Sequence, residues 1–391
     1  MRDVIIIGGG ASGMAIACYM VMNCPGINIA IIEKKEELGK KLSATGNGKC
    51  NISNTDCENY LFTKEFFSSI GIEIYNDSQG RCYPISKSAK DVVEAMSNVI
   101  IFGGVHVNTN SHVEEIQKTK DCFEIKYGGK LEKSKSVVIA TGGKTFPEFG
   151  TTGDGTIFAK KFGHNISKLV PVLTPIECNV PKSFGGIRTL GNVKLFCKGS
   201  NIYEESGEIQ FTKTGISGIC VFNVSRFMKL TENIRFIDYK VAIDFLYGVD
   251  DNLIITSIYN KKKIKGLKAD SLFLTIINKK IVKEALKRAG VDENKELVLI
   301  NDSEIKRIIS QLRSFEFEVT GAGGWKQAQC TSGGVSLEEV SSLTCESSIV
   351  SNLYFAGEVL DFDGPCGGFN LQNAWDTAMK VGKKLCIEYI K

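Results

Sequence analysis

Apolar and polar positions in the first 33 residues follow the order of a βαβ unit. A β-branched run at 3–7 is followed by the glycine turn GGGASG, and an apolar segment of helical length then extends to Cys24. A second β-branched run at 28–32 ends next to Glu33. This pattern predicts two parallel strands joined by a helix, the unit that binds dinucleotides. A glycine turn that opens an ordinary helix is the alternative.

The residues of the GxGxxG turn have separate physical roles. Gly8 allows a tight turn, Gly10 lets the backbone approach a pyrophosphate, and Gly13 lets the helix pack closely on the strand. The free N–H groups at the start of the helix favour an anion. Glu33 lies twenty residues after Gly13, where a carboxylate reaches the hydroxyl pair of a ribose. The turn therefore predicts a dinucleotide site.

The periodicity after Glu33 changes twice along the chain. We expect a glycine- and polar-rich loop at 38–54, helices at 63–70, 89–100 and 155–162, and strands at 112–117, 122–127 and 136–140. Short strands and turns follow from about Pro171, and 250–313 is helical and basic. A strand at 353–356 and a helix from Gly367 through Lys384 return to the first pattern. The first and last parts of the chain therefore resemble each other more than either resembles the middle.

Three glycine-rich segments follow predicted strands: Gly8–Gly13, Thr141–Gly143 and Gly357–Gly368. Parallel α/β sheets bind ligands beyond the carboxyl ends of their strands. The three segments can meet one long cofactor only if the first and last parts of the chain fold together. The middle of the chain is then an insertion.

Composition sets broad limits on the class of protein. A chain of 391 residues exceeds the usual size of one core, so two or three domains are expected. A mean hydropathy of -0.02 with 43% hydrophobic and 24% charged residues describes an ordinary globular protein. No apolar run approaches the roughly 20 residues that span a bilayer, and the N-terminus lacks the features of a signal peptide. We expect a cytoplasmic protein without a membrane partner.

The cysteines and histidines limit the possible chemistry. Thirteen cysteines are scattered and never spaced C-x-x-C, which argues against a disulfide framework, a zinc site and a redox dithiol. The three histidines, His106, His112 and His164, are too few to favour a histidine-based metal site or triad. No metal is expected.

The segment 250–313 carries a local excess of positive charge. It contains 14 lysines and arginines against nine aspartates and glutamates, whereas the whole chain has a net charge of +4. A solvated face is one interpretation, and an electrostatic footprint for an anionic partner such as RNA is the other.

Seven segments, in order, resemble the HI0933-like (BaiN/YhiN-type) flavoprotein family: VIIIGGGASG, ELGKKLSATGNGKCNISN, GRCYPISKSA, VVIATGGKTFPEFGTTGDG, FTKTGISG, TSGGVSLEEV and LYFAGEVLDFDGPCGGFNLQNAW. The resemblance implies a Rossmann-like FAD-binding domain of the two-dinucleotide-binding type at 1–170 and 335–391. This α/β domain would be interrupted by a β-barrel-like domain at 171–249 and 314–334 and by a basic helical insert at 250–313.

The resemblance also implies which residues hold FAD. Those that would contact the adenosine and pyrophosphate parts are Gly8, Gly10, Ala11, Ser12, Gly13, Glu33, Lys34, Val113, Thr141, Gly142 and Gly143. Those that would contact the ribityl chain and the flavin ring are Lys41, Gly46, Asn47, Gly48, Cys50, Asn51, Gly357, Glu358, Gly368, Phe369, Asn370 and Leu371. Backbone N–H groups at the start of the last helix would stabilise the anionic pyrimidine edge of the reduced ring.

Catalytic candidates come from the loop that the family places at the flavin. Cys50 is a potential proton donor or a residue that packs beneath the ring, and Asn47 and Lys49 are potential polar contacts. Tyr83 and His164 match family positions without a definite role. NAD(P)H would bind only transiently, because no second GxGxxG follows a predicted strand.

The resemblance implies an FAD-dependent oxidoreductase that moves hydride between reduced flavin and an unsaturated acceptor. The alternatives are a flavin-dependent enzyme that converts uridine to dihydrouridine in ribosomal RNA, an amine oxidase, and a non-catalytic redox sensor. The partner is therefore a small molecule or ribosomal RNA, and the oligomeric state stays open. Departures from the family pattern occur at Lys213, Ile219, Cys330 and 344–348.

Overall fold

The computed structural model describes residues 1–389, and its contacts divide the chain into two units. The first unit comprises Met1–Val172 and the chain from Trp325 onward, and the second is Leu173–Gly324. The strands are β1 Arg2–Ile7, β2 Ile29–Ile32, β3 Ser53–Asn54, β4 Ile74–Asn76, β5 Arg81–Pro84, β6 His106–Asn108, β7 Val113–Lys118, β8 Phe123–Tyr127, β9 Lys130–Ile139, β10 Val170–Val172, β11 Ile176–Cys178, β12 Arg188–Cys197, β13 Ser200–Phe211, β14 Gly215–Ser217, β15 Tyr239–Asp244, β16 Phe315–Ala322, β17 Cys330–Ser332 and β18 Leu353–Phe355. The helices are α1 Ala11–Asn23, α2 Lys40–Gly48, α3 Tyr60–Ser69, α4 Ala89–Phe102, α5 Asp154–Lys161, α6 Ile219–Ser225, α7 Asp251–Lys262, α8 Lys279–Arg288, α9 Asp302–Arg313 and α10 Phe369–Tyr389.

A largely parallel sheet forms the centre of the first unit. Its order is β6-β2-β1-β9, β18 pairs parallel to the end of β9, and the β7–β8 hairpin continues the sheet in antiparallel fashion. In β1, Val4–Ile7 are buried, as expected where both faces of a parallel sheet are covered. The strands from the two ends of the chain, β1 and β18, both pair with β9. The prediction that the first and last parts fold together is confirmed.

The second unit is a closed antiparallel barrel packed against helices. The barrel order is β11-β14-β13-β12-β15-β16. In β16, Phe315, Phe317 and Val319 are buried, while the intervening glutamates are exposed, which is the alternation of a half-buried strand. Buried side chains of α7, α8 and α9 belong to the same core as these barrel residues. The α/β class with a Rossmann-like sheet, a barrel and a helical segment is confirmed, and the three-domain boundaries stay a prediction.

The expected loop at 38–54 contains the helix α2. Its helical geometry is broken at Thr45–Asn47, where Gly46 and Asn47 adopt φ angles of 58° and 54°. The sequence at 38–54 is polar and contains three glycines. The turn before the break buries only Leu42, so hydrophobic periodicity does not predict this short helix. Among residues 1–389, no helix has the length and apolarity needed to cross a membrane.

One disulfide joins the first and last helices of the chain, contrary to the expectation drawn from cysteine spacing. Cys24, which ends α1, is bonded to Cys386 on α10, and their Cα atoms lie 5.6 Å apart. The two residues are 362 positions apart in the sequence. Only the packing of α1 on α10 brings them together, so local spacing contains no signal for the pair.

Reduction of this disulfide is expected to lower the free energy of unfolding of the first unit by about 2–4 kcal/mol, because the bridge restricts the unfolded chain over a long loop. Urea unfolding with and without a reducing agent measures the difference. The double variant Cys24→Ala, Cys386→Ala is the control and should not respond to the reductant. An equal response of this variant and the wild type would contradict the prediction.

Candidate functional site

The first unit contains a cavity at the carboxyl ends of β1, β2 and β9. It encloses about 1260 Å³ of space outside the protein atoms, some of it open solvent. Its walls come from the glycine turn, the N-terminal parts of α1 and α10, and segments after β2, β9 and β18. The cavity is therefore long, and it draws on both ends of the chain.

The three glycines of the GxGxxG pattern, Gly8, Gly10 and Gly13, face different surroundings. A Cβ atom on Gly13 would overlap the carbonyl oxygen of Gly8, and one on Gly8 would lie 2.5 Å from the carbonyl oxygen of Ala140. A Cβ on Gly10 would meet no atom within 4 Å. Gly8 and Gly13 therefore permit the packing of the turn, whereas Gly10 leaves open space in the wall of the cavity. A pyrophosphate group fits this open space at the start of α1.

Glu33 is held in place at the end of β2. Its Oε2 accepts a hydrogen bond from the Gly9 N–H at 2.6 Å, and its Oε1 accepts one from the Lys35 N–H at 2.7 Å. Burial raises the pKa of the Glu33 carboxyl, and these backbone hydrogen bonds oppose the rise. A carboxylate oxygen accepts more than one hydrogen bond, so the group can also accept from the hydroxyls of a ribose.

A second polar group closes the same end of the cavity. Lys34 donates to the Thr152 hydroxyl at 2.8 Å and to Asp154 Oδ2 at 3.0 Å. The Nδ1 atom of His112 lies 3.8 Å from the same Asp154 oxygen. The side chain of Lys34 thus ties the segment after β2 to the start of α5. The Thr141 hydroxyl, also in the cavity wall, is buried without a hydrogen-bond partner among residues 1–389.

The other end of the cavity contains an ion pair. Lys41 Nζ lies 2.7 Å from Glu358 Oε2 and donates to the Thr145 hydroxyl at 2.7 Å. Glu358 Oε1 accepts from the Thr331 N–H at 2.8 Å and from the Thr145 hydroxyl at 3.3 Å. These contacts join α2, the segment after β9, β17 and the turn after β18. We refer to this part of the cavity as the ring end.

The start of α10 packs directly on β3. Gly368 has a φ of 109°, and a Cβ atom there would overlap the carbonyl group of Ser53. Asn370 holds the preceding loop, because its Oδ1 accepts from the Gly364 N–H at 2.8 Å and its Nδ2 donates to the Gly364 carbonyl at 2.9 Å. The unpaired N–H groups of a helix start favour negative charge nearby. Such a site suits the anionic edge of a reduced flavin.

The predicted cofactor residues divide into two groups. Those that line the cavity are Gly8, Gly10, Ala11, Ser12, Glu33, Lys34, Lys41, Val113, Thr141, Gly142, Glu358, Asn370 and Leu371. Those outside its lining are Gly13, Gly46, Asn47, Gly48, Cys50, Asn51, Gly143, Gly357, Gly368 and Phe369, together with the catalytic candidate Lys49. Several of the second group pack against residues of the first. A Cβ on Gly357, for example, would overlap the Ser12 hydroxyl.

Sequence reasoning missed several residues of the cavity wall. These are mainly Thr45, Phe149, Gly150, Asp154, Gln329, Cys330, Phe362 and Asn373. Most lie inside or next to the family segments quoted above, but no motif rule assigns them a role. Cys330 donates weakly from Sγ to Asn370 Oδ1 at 3.5 Å, and burial raises the pKa of its thiol well above the usual range.

Cys50 is fully buried beside the break in α2. It has a φ of 57°, and its side chain is 0% exposed. Burial raises the pKa of the thiol to about 12, and a hydrogen bond with Thr45 opposes the rise. The thiol is therefore protonated at neutral pH. Both the catalytic role of Cys50 and its packing role stay predictions.

Cys50 is expected to resist alkylation at pH 8 in the folded protein, because its thiol is both inaccessible and protonated. Cys57 and Cys197, which are partly exposed, should react first. Peptide mass spectrometry after brief iodoacetamide treatment measures the order. Labelling of Cys50 as fast as Cys197 would contradict this geometry.

His164 lies between two polar side chains that it contacts through its ring nitrogens. Its Nε2 lies 2.8 Å from the Ser347 hydroxyl, and its Nδ1 lies 3.2 Å from Glu339 Oε2. A serine, a histidine and a carboxylate in this order also form the catalytic triad of serine hydrolases. However, the Ser347 oxygen accepts from the N–H groups of Ile349 and Val350, and the residue is 6% exposed. This serine is therefore a turn-forming residue.

Comparison with known proteins gives three findings. The model of the HI0933-like protein Rossmann domain matches residues 59–384. The 3-dehydro-bile acid delta(4,6)-reductase of Clostridium scindens is 31% identical, over 98% of this chain and 98% of its own length. The ribosomal RNA dihydrouridine synthase of Escherichia coli (strain K12) is 27% identical, again over 98% of both chains.

A solved structure shares the fold. The open conformation of a flavocytochrome c3 fumarate reductase superposes with a TM-score of 0.50 at 13% identity, covering 100% of this chain and 79% of that chain. At this identity the likeness concerns the arrangement of strands and helices alone.

Proposed function

The chain belongs to the HI0933-like family, and we propose that it is an FAD-dependent oxidoreductase that reduces a carbon–carbon double bond. The observation that carries the proposal is the full-length similarity to a delta(4,6)-reductase, at 31% identity. The cavity supports it, because its wall combines a glycine turn at a helix start, a half-buried glutamate and a second helix start.

Different residues of the cavity would hold different parts of FAD. The open space at Gly10 would receive the pyrophosphate, and Glu33 would accept from the ribose hydroxyls. The Lys41–Glu358 pair would face the ribityl chain, and the start of α10 would face the pyrimidine edge of the ring. When bound, the flavin supplies hydride transfer, while the protein supplies orientation and charge.

Reduction by a nicotinamide nucleotide is the first test. The purified protein should be yellow, and anaerobic NADPH or NADH should bleach the flavin absorbance. Addition of an unsaturated 3-oxo bile acid should then restore the colour. Protein that cannot be reconstituted with FAD would overturn the proposal. Bleaching without reoxidation by any unsaturated carbonyl compound would argue for an amine oxidase or a redox sensor instead.

A second candidate function is dihydrouridine formation in ribosomal RNA. It is favoured by the similarity to the Escherichia coli synthase and by exposed lysines of the second unit, namely Lys263, Lys265, Lys268, Lys280 and Lys287. Both candidate reactions add hydrogen across a double bond conjugated to a carbonyl group. Dihydrouridine in ribosomal RNA should disappear when the gene is deleted, and RNA binding should weaken steeply with salt.

Not every lysine of the basic segment is available to a partner. Lys261 Nζ donates to the carbonyl oxygens of Leu272 and Leu274 at 3.1 and 2.8 Å, and Lys262 Nζ donates to that of Ile300 at 2.6 Å. Neutralising these two lysines would disturb the fold of the segment. The test of RNA binding should therefore use glutamine at Lys263, Lys265 and Lys280.

A further inference from the structure

We propose that Tyr75, Tyr83 and Lys87 form a recognition surface beside the ring end of the cavity. It would hold a flat conjugated ring that carries an anionic group. This inference rests on the proposed function, because it assigns the place where the acceptor is held. We call the three residues the tyrosine ledge.

The ledge is a cross-strand aromatic pair. Tyr75 on β4 is paired directly with Tyr83 on β5, so both side chains lie on one face of the small sheet. Their ring centroids are 6.0 Å apart with an interplanar angle of 30°, a stacked arrangement. The Lys87 ammonium group lies 5.2 Å from the centroid of the Tyr75 ring. Both tyrosines are partly exposed and Lys87 is exposed, so the pair is accessible to a ligand.

The ledge is tied to the ring end by two connections. Strand β5 pairs with β3, and β3 packs against Gly368 at the start of α10. Asn54 on β3 also donates from Nδ2 to the Gly367 carbonyl at 3.0 Å. These contacts fix the small sheet relative to the helix start that faces the cavity.

The second connection passes through the break in α2. A Cβ atom on Gly46 would lie 3.8 Å from Cε1 of Tyr83, so this ring lies against the segment 45–51. Thr45, the residue before Gly46, is part of the cavity wall. Tyr83 therefore lies against the residue that follows Thr45 of the cavity wall, within the segment that the family resemblance implies is at the flavin.

The fold itself makes little use of the Tyr83 hydroxyl. Among residues 1–389, no hydrogen bond joins the Tyr83 hydroxyl to another group. Burial raises the pKa of this hydroxyl. By contrast, the Tyr60, Tyr127 and Tyr203 hydroxyls each bond to a side chain at 2.7–2.9 Å. Partly buried tyrosines usually find a polar partner. Tyr83 thus presents both an aromatic ring and a polar atom to whatever occupies the neighbouring space.

The combination of stacked aromatic rings and a lysine defines the ligand chemistry. Conjugated rings stack on tyrosine faces, and an anionic substituent is attracted to nearby ammonium groups. The Lys87 ammonium group, which lies over the Tyr75 ring, supplies the positive charge. A pyrimidine nucleotide and an unsaturated ring acid share this chemistry. Stacking favours the nucleotide because its base is fully conjugated.

Binding of uridine 5′-monophosphate to the protein as purified tests the ledge independently of turnover. Isothermal titration should show that Tyr83→Leu and Tyr75→Leu each raise the dissociation constant roughly tenfold, as expected for loss of one stacking contact. Tyr83→Phe retains the ring and should bind within about twofold of the wild type. Tyr247→Leu, at a 52% exposed tyrosine of the second unit, is the matched control.

The anionic contact is tested by Lys87→Gln, a surface change that leaves the fold intact. It should weaken binding of the monophosphate and leave binding of uridine unchanged. An unsaturated 3-oxo bile acid forms the second arm. If Tyr83→Leu loses binding of only one of the two compounds, that compound is the one whose ring stacks on the tyrosine ledge.

Two results would overturn the ledge: wild-type affinity in Tyr83→Leu and Lys87→Gln for both compounds, or no binding of either compound to the wild type. Flavin content and bleaching by NAD(P)H are measured on the wild type, and the control Tyr247→Leu should match the wild type in both. If the tyrosine ledge does not bind the ligand, the reductase reaction can still be measured. If the protein is not a reductase, ligand binding to the ledge can still be measured.

Discussion

Replacement of Gly13 by alanine is expected to prevent the first unit from folding and therefore from binding FAD. The new Cβ atom would overlap the backbone carbonyl of Gly8, and a backbone atom in a tight turn cannot move aside as a flexible side chain can. Overpacking typically costs about 1–3 kcal/mol, and overlap with a rigid backbone atom falls at the upper end of this range or above it. We expect aggregation or a colourless product, measured by solubility, urea unfolding and flavin content.

Gly10→Ala is the matched control, because it adds the same methyl group within the same turn. A Cβ there meets no protein atom within 4 Å, and Gly10 has a φ of -81°, which alanine adopts readily. The variant should unfold at the urea concentration of the wild type while its dissociation constant for FAD rises at least tenfold. If Gly13→Ala folds and binds FAD normally, the close packing of α1 on the turn does not control the site.

Glu358→Ala is the second change with a large expected effect. The carboxylate is the common acceptor for Lys41 Nζ, the Thr331 N–H and the Thr145 hydroxyl, and the alanine variant leaves all three without it. Unsatisfied donors cost about 1–3 kcal/mol, discounted here because the ion pair is about one-fifth exposed. We expect a measurable loss of stability and a rise of at least tenfold in the dissociation constant for FAD.

Two controls separate the role of the charge from that of the hydrogen bonds. Glu358→Gln retains an acceptor oxygen for the Thr331 N–H. It should therefore be nearly as stable as the wild type but bind flavin more weakly. Glu318→Ala removes a carboxylate from a surface pair with Lys240 and should change stability by less than about 0.5 kcal/mol. An effect of Glu358→Ala no larger than that of Glu318→Ala would contradict a central role for the network.

Much of the first unit could be predicted because its signals are local. The run of β-branched residues, the glycine spacing and Glu33 lie within 33 residues, and the resulting strands pair in register from Val4 with Ile29 to Ile7 with Ile32. In the second unit, the alternation in β16 is equally local, because burial along this strand has a period of two residues. These features depend on short-range sterics and on which face of an element is buried.

Other features could not be predicted because they depend on residues far apart in the chain. The segment 45–51 contributes Thr45 to the cavity wall, and a Cβ atom on Gly46 of this segment would lie 3.8 Å from Tyr83, which is distant in the sequence. The lysines of 250–313 look alike in sequence, yet Lys261 and Lys262 bond to carbonyl groups while Lys263 and Lys265 are exposed. Charge counts alone cannot make this distinction.

The sequence by itself determined the βαβ unit and its glycine turn, because helix starts, glycine sterics and strand periodicity act over a few residues. The tertiary structure alone decided that Cys24 meets Cys386, that Glu358 meets Lys41, and that Tyr83 lies beside Gly46. Such pairs join positions that only the packing of whole elements brings together, and no pattern along the chain encodes their distances.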